Sequence, residues 1–182
     1  LHEKPNSVCS NCYALKGLYI MKNVKDAQER RFKTLNNITL VADMAKIINT
    51  YRYSKSKKDY TVFRWHDSGD LQDIEHLEQI AEVARRTPHC KHWLPTREYA
   101  IVAAYHAQYD IPANLIIRLS AMFTDKPVKV PASLQGIANV TVSNVHETGK
   151  AEGKPCPAYT RGGACGTCRV CWSSAVVSYP LH

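Results

Sequence analysis

The chain has 182 residues, 45% of them hydrophobic, enough to bury a sizeable core and to exclude an intrinsically disordered protein. Lys+Arg 24 against Asp+Glu 16 gives a formal charge of +8, and the excess sits early: residues 1–60 carry twelve basic and five acidic side chains, the other 122 twelve and eleven. No apolar run approaches the ~20 residues of a membrane-spanning helix and no signal-peptide pattern opens the chain, so no membrane partner is expected, although Leu1 leaves an upstream segment open.

In chain order, residues 24–33 and 38–53 read as helices; in the second, Leu40, Val41, Met44, Ile47, Ile48 and Tyr51 recur at helical spacing. Residues 54–59 (SKSKKD) break the pattern as a solvated turn. Residues 60–65 (YTVFRW), rich in β-branched and aromatic side chains, read as a strand. His66-Asp67-Ser68-Gly69-Asp70 follows as a loop in which Ser68 and Asp70 are candidate helix N-caps, and Ile74, Leu77, Ile80, Ala81 and Ala84 mark a helix ending near Arg86.

The unit then repeats. Residues 92–95 form a short strand, 97–109 a helix, and 114–120 (NLIIRLS) a nearly continuous apolar strand, as expected of one buried on both faces. Residues 132–136 add a turn of helix, 140–143 a further strand, and 175–179 a candidate last strand. Strands alternating with helices argue for a parallel α/β sheet with right-handed crossovers. Four clear strands are too few for a full eight-stranded barrel. The expectation is a partial TIM-like barrel or open parallel sheet of about 4–6 strands, with no linker dividing residues 1–182 into more than a single domain.

The seven cysteines carry the chemistry. Cys9 and Cys12 form a CxxC near the start; Cys156, Cys165, Cys168 and Cys171 form C-x8-C-x2-C-x2-C near the end; Cys90 stands alone in an apolar run, where it reads as a small core hydrophobe. Disulfides suit a CxxCxxC run poorly, since neighbouring thiols would reshuffle, and the set does not resemble a secreted disulfide scaffold; a cytoplasmic protein is expected. Zinc would take two CxxC pairs, Cys9/Cys12 with Cys165/Cys168, and leave Cys156 and Cys171 without a role. An iron–sulfur cluster uses the run fully: three cysteines at two-residue intervals wrap one face of a cubane and a remote cysteine followed by proline, here Cys156-Pro157, closes the fourth corner. A [4Fe–4S] cluster is therefore placed ahead of Zn2+, with Cys9 and Cys12 replacing some of these ligands or binding a second centre.

Ligands of parallel α/β folds bind beyond the carboxyl ends of the strands. Those ends supply His66, Asp67, Ser68 and Asp70; Thr96, Arg97 and Glu98; Arg118 and Ser120; and Ser143, Asn144 and His146. Both terminal cysteine loops are expected to close over that end. Arg118, ending an apolar strand, requires a buried anionic partner or ligand. His66, Asp67, Arg97 and Arg118 are the rim candidates for catalysis, if there is any.

Cys9-Ser10-Asn11-Cys12-Tyr13-Ala14 resembles the second half of the radical S-adenosylmethionine signature CxxxCxxC, and Asp67-Ser68-Gly69-Asp70 resembles the glycine-containing loop after the second strand of that superfamily. Pro5 stands where the first cysteine would fall, so a three-cysteine site with one open iron is absent in its usual form. Cys9–Ala14, Arg64–Asp70 and Cys156–Trp172 together resemble the "gene product 88" family of phage proteins. That resemblance implies an iron–sulfur protein with a partial radical-SAM-like barrel, encoded by a phage and acting in the host cytoplasm.

Three functions follow as expectations. One is a [4Fe–4S] protein with a structural or electron-transfer role and a redox partner protein. The next is a cluster-dependent redox or radical enzyme working at the rim. The last is a zinc-stabilised nucleic-acid-binding module whose Lys22, Lys25, Arg30, Arg31, Lys33, Lys55, Lys57 and Lys58 neutralise phosphates.

Overall fold

A computed structural model of the chain describes residues 2–51, 61–147 and 151–181. Six strands form one sheet: β1 (Val62–Arg64), β2 (Lys91–Thr96), β3 (Leu115–Ser120), β4 (Val140–His146), β5 (Lys154–Pro155) and β6 (Val177–Pro180). Their order is β1-β2-β3-β4-β6-β5, every pair is parallel, and the sheet curls into an open half-barrel. This is the partial barrel expected of strands alternating with helices.

Among the described residues four α-helices accompany it: α1 (Lys22–Lys33), α2 (Leu40–Tyr51), α3 (Ile74–Arg86) and α4 (Tyr99–His106). In α3 the spacing of Leu77, Ile80, Ala81 and Ala84 makes a stripe that is essentially fully buried. Asp73 caps its start, accepting from the His76 N–H at 2.7 Å, and Arg85 and Arg86 close its last turn, where cations favour the helix dipole. The cap is therefore Asp73 rather than Ser68 or Asp70. Asp70 is engaged elsewhere: its carboxylate accepts from the Thr96 hydroxyl at 2.5 Å and from the Arg97 N–H at 2.8 Å. With the Glu98 N–H also bonded to the Thr96 hydroxyl at 3.0 Å, the chain after β2 is held in a loop, and α4 starts at Tyr99, two residues later than the sequence indicates.

Period-2 alternation assigns the two faces of the sheet. Leu94, Leu115, Ile117 and Leu119 face α3 and α4 and join Leu77, Ile80, Val102 and Tyr105 in the main core. Ile48 of α2 packs with Val83 and Cys90, so Cys90 is a core residue, 1% exposed. The opposite, concave face carries Trp93 and Val177, which pack with Cys171 of the C-terminal segment. β3 is thus covered on both sides, as its unbroken apolar sequence requires.

Residues 132–136 reduce to a single 3-10 turn, Ala132–Leu134. The two-residue β5 has no sequence signature; its Lys154 N–H bonds the Val176 carbonyl at 2.9 Å and places it on the edge beside β6. The solvated turn expected at 54–59, and the last residues of the 38–53 helix, lie outside the described residues.

Candidate metal centre

The site forms where the C-terminal segment lies over the concave face. Arg118, fully buried, reaches from β3 and donates to four main-chain carbonyls: Val142 and Ala175 at 2.8 Å, Ser173 at 2.9 Å and Cys171 at 3.2 Å. The Thr141 hydroxyl adds a bond to the Ser174 carbonyl at 2.8 Å, and the Trp172 indole donates to the Phe63 carbonyl at 2.9 Å. Trp172 meets Trp93 edge to face at 5.3 Å. These contacts fix the 3-10 turn Val170–Trp172, and with it Cys171, on the sheet. Cys156 is fixed from the other side, its N–H bonded to the Ser178 carbonyl of β6 at 2.8 Å. Cys165 and Cys168 close one turn, the Cys168 N–H bonding the Cys165 carbonyl at 3.0 Å. Gly166 inside that turn has φ +54, a left-handed conformation that glycine adopts without a Cβ clash.

Cys156, Cys165, Cys168 and Cys171 line one cavity of about 20 Å³, walled by Pro157, Trp172 and Val177. All four are free thiols. Burial pushes the Cys171 thiol up, as do the neighbouring Cys156 and Cys165; the Tyr179 hydroxyl, 3.1 Å from its sulfur, and the Arg118 guanidinium pull the other way. Burial lowers the Arg118 pKa, offset by Tyr179 and Cys171. Among the described residues Arg118 meets no carboxylate: in place of the anionic partner expected of a buried arginine, four neutral carbonyls accept from it, and the Cys171 thiol adds charge whenever it ionises. The donor set therefore fits a thiophilic metal: four cysteines on one cavity with a buried cation behind one of them. Among the described residues no three His, Cys, Asp or Glu side chains already stand in metal-ligand geometry.

Cys9 and Cys12 are not part of that lining. Cys9 lies in a separate 3-10 turn, Val8–Asn11, and Cys12 is its C-cap; the N-cap Ser7 is buried and accepts from the Ser10 N–H at 3.1 Å. The Val8 N–H bonds the Met122 carbonyl at 3.0 Å, so the turn sits beyond the carboxyl end of β3. Next to it the Tyr13 hydroxyl donates to the Asp67 carbonyl and Tyr19 to the Asp67 carboxylate, 2.5 Å; that bond pushes the Tyr19 pKa up to about 12.

The rim candidates divide. His66 and Asp67 lie together after β1. His66 has φ +56, its ring nitrogens are shut from solvent, and its ring lies 5.5 Å from that of His76; burial holds its pKa down, and that of His76 at about 4. Ser68 accepts from the Gln28 amide at 3.1 Å. The Arg97 Nε donates to the Ala121 carbonyl at 3.0 Å, and Glu98 is exposed. Ser120 offers its carbonyl to the Tyr99 hydroxyl at 2.6 Å, while Ser143 is buried. Asn144 donates to the Glu152 carbonyl at 3.1 Å, and His146 shares a 2.7 Å hydrogen bond with the Ser178 hydroxyl. Arg118 is bonded instead to the carbonyls of the C-terminal segment, Cys171 among them.

Tyr179, Trp93 and Trp172 escape the sequence reading although they build the site. The alternation of β6 carries a signal for one of them: Val177 and Tyr179 share the face that meets Cys171.

Fold and site together define a parallel α/β half-barrel that gathers four free thiols against a buried arginine. The family model described as Gene product 88 matches residues 4–174, nearly the whole chain, and the protein belongs to this family of phage gene products. No curated protein and no solved structure matches the chain.

Proposed function

We propose that this is a phage-encoded iron–sulfur protein of the host cytoplasm that holds a [4Fe–4S] cluster on Cys156, Cys165, Cys168 and Cys171 and serves electron transfer with a redox partner protein. The observation that carries the reading is the cavity lined by these four thiols, with a fully buried arginine behind Cys171 that meets no carboxylate among the described residues. Four thiolates around a divalent-charge core leave an anionic centre, and an adjacent guanidinium is the counter-charge such a centre calls for. When bound, the cluster supplies one-electron transfer. The chain's own part is to present the thiols, exclude water with Trp172 and Val177, and place the Tyr179 hydroxyl and Arg118 beside Cys171. A half-barrel is what a truncated radical-SAM-like fold would have, but Pro5 in the place of the first signature cysteine favours electron transfer over cleavage of S-adenosylmethionine.

Anaerobic purification with iron and acid-labile sulfide analysis tests this. About four irons and four sulfides per chain are expected, lost on Cys168→Ser or Cys171→Ser. Colourless protein with stoichiometric zinc would replace the cluster by a ZnS4 site. That second reading has its own support in the donor set, since four cysteines on one cavity are also the ligand complement of a tetrahedral zinc site. A nucleic-acid role has less: on α1, Lys22 already pairs with Asp26 at 2.6 Å and Lys33 with Glu29 at 3.5 Å, and Lys55, Lys57 and Lys58 lie outside the described residues.

A further inference from the structure

The N-terminal CxxC is not used by the C-terminal cavity, and its local geometry suits a different chemistry. The Cys12 N–H bonds the Cys9 carbonyl at 3.2 Å and closes a four-residue turn. A turn closed in this way keeps its end Cα atoms within about 7 Å, and Cys12 is the C-cap that closes it. A disulfide spans Cα atoms about 4.4–6.8 Å apart. Both thiols are free and half-buried, within reach of a small solute. The turn is held from below by buried Ser7, by the Val8–Met122 bond, and by the isolated bridge from Ser7 to Phe123. Pairing the two sulfurs therefore requires side-chain rotation rather than refolding.

We infer that Cys9 and Cys12 form a thiol–disulfide exchange site, chemically separate from the C-terminal cysteines, whose co-substrate is a low-molecular-weight disulfide such as oxidised glutathione. One cysteine thiolate attacks a sulfur of glutathione disulfide. That S–S bond breaks, and the first glutathione leaves as a thiolate that takes up a proton. The second cysteine thiolate then attacks the mixed disulfide and expels the second glutathione, which is protonated in turn. Two electrons pass from the dithiol to glutathione disulfide, two protons end on the released thiols, and the protein keeps an intramolecular Cys9–Cys12 bond. The inference does not rest on a metal at the C-terminal site.

The full chain, isolated anaerobically, is equilibrated in defined mixtures of reduced and oxidised glutathione, quenched with acid, alkylated with N-ethylmaleimide and mapped by mass spectrometry. The expected result is a peptide carrying Cys9 and Cys12 that escapes alkylation as its own disulfide. Its oxidised-to-reduced ratio changes tenfold for each tenfold change in [GSSG]/[GSH]², while bound metal stays constant. Cys12→Ser is expected to stop at a glutathione mixed disulfide on Cys9. If that variant does not fold, the wild-type titration decides alone. Full alkylation of both residues in the most oxidising mixture would overturn the inference. So would pairing of Cys9 or Cys12 with Cys165 or Cys168, or loss of bound metal in step with Cys9–Cys12 oxidation, which would make the pair ligands.

Discussion

Arg118 shows how one side chain can hold a site together. Its guanidinium satisfies four carbonyls where the C-terminal segment meets the sheet, and each orphaned buried polar group costs about 1–3 kcal/mol. Arg118→Met is expected to lower unfolding free energy by about 4 kcal/mol or more, read as a shift in the guanidinium midpoint. A loss under about 1 kcal/mol would mean that the carbonyls find other partners. Tyr179 acts more locally. Removing its hydroxyl in Tyr179→Phe takes away one hydrogen bond to the Cys171 sulfur, and the proposed cluster's reduction potential is expected to fall by on the order of 40 mV with iron content unchanged. His92 is a third case, bonded to the Trp65 indole at 3.1 Å and the Thr87 hydroxyl at 2.8 Å in a fully buried position. Burial and nearby His89 hold its pKa at about 4, below the ordinary 6.5. Its folded form thus stays neutral while the unfolded chain takes up a proton. Stability is fully present above pH 6.5 and is lost as the pH falls towards 4, by about 3 kcal/mol in all. An NMR titration that protonates the His92 ring above pH 6 would contradict this. Arg118 was legible in the sequence as an anomaly, a charge ending an apolar strand. Its partners were not, because main-chain carbonyls 24 to 57 residues away leave no trace in composition or spacing.

At the scale of elements, the same logic separates strong from weak segments. α3 was legible almost to the residue because a buried stripe, an aspartate at the N-cap and arginines in the last turn all agree. β5 was invisible: two edge residues bonded to β6 have no periodicity to read. α1 lies between these, a helix by sequence and in the structure, but with no buried residue. It joins the body through contacts such as the Gln28–Ser68 bond, and the turns before it leave Leu18 74% exposed. Its stability has little tertiary support, and short helices are marginal in water without it. Backbone amides of α1 are expected to exchange with solvent about a hundredfold faster than those of α3 around Leu77, Ile80 and Ala81, which are at most 1% exposed. Equal protection of the two helices, followed by hydrogen exchange and mass spectrometry, would show that α1 is covered in solution.

The whole molecule has two unequal faces, and the inequality ties stability to the thiols. Behind the sheet, α3 and α4 bury Leu94, Leu115, Ile117 and Leu119 in a continuous apolar core that needs no ligand. On the concave side the buried cluster under the C-terminal segment is small among the described residues (Trp93, Cys171 and Val177), and the covering segment is short turns held by Arg118 and Thr141. A cover with so little apolar burial gains most from a cross-link, and a metal held by four cysteines is one: it binds the folded arrangement and not the open chain. A site filled a thousandfold above its dissociation constant contributes about 4 kcal/mol by mass action alone. Stripping the proposed metal from loaded protein with a chelator is therefore expected to lower the thermal midpoint. It should also change Trp fluorescence, because Trp172 of the cover meets Trp93 of the sheet edge to face. Amide protection in α3 and α4 should fall much less than in residues 156–173, since their core is built on the other face. If chelation of metal-loaded protein moves neither the midpoint nor the fluorescence, the C-terminal segment is fixed by Arg118 and its carbonyls alone, and the thiols carry no structural load.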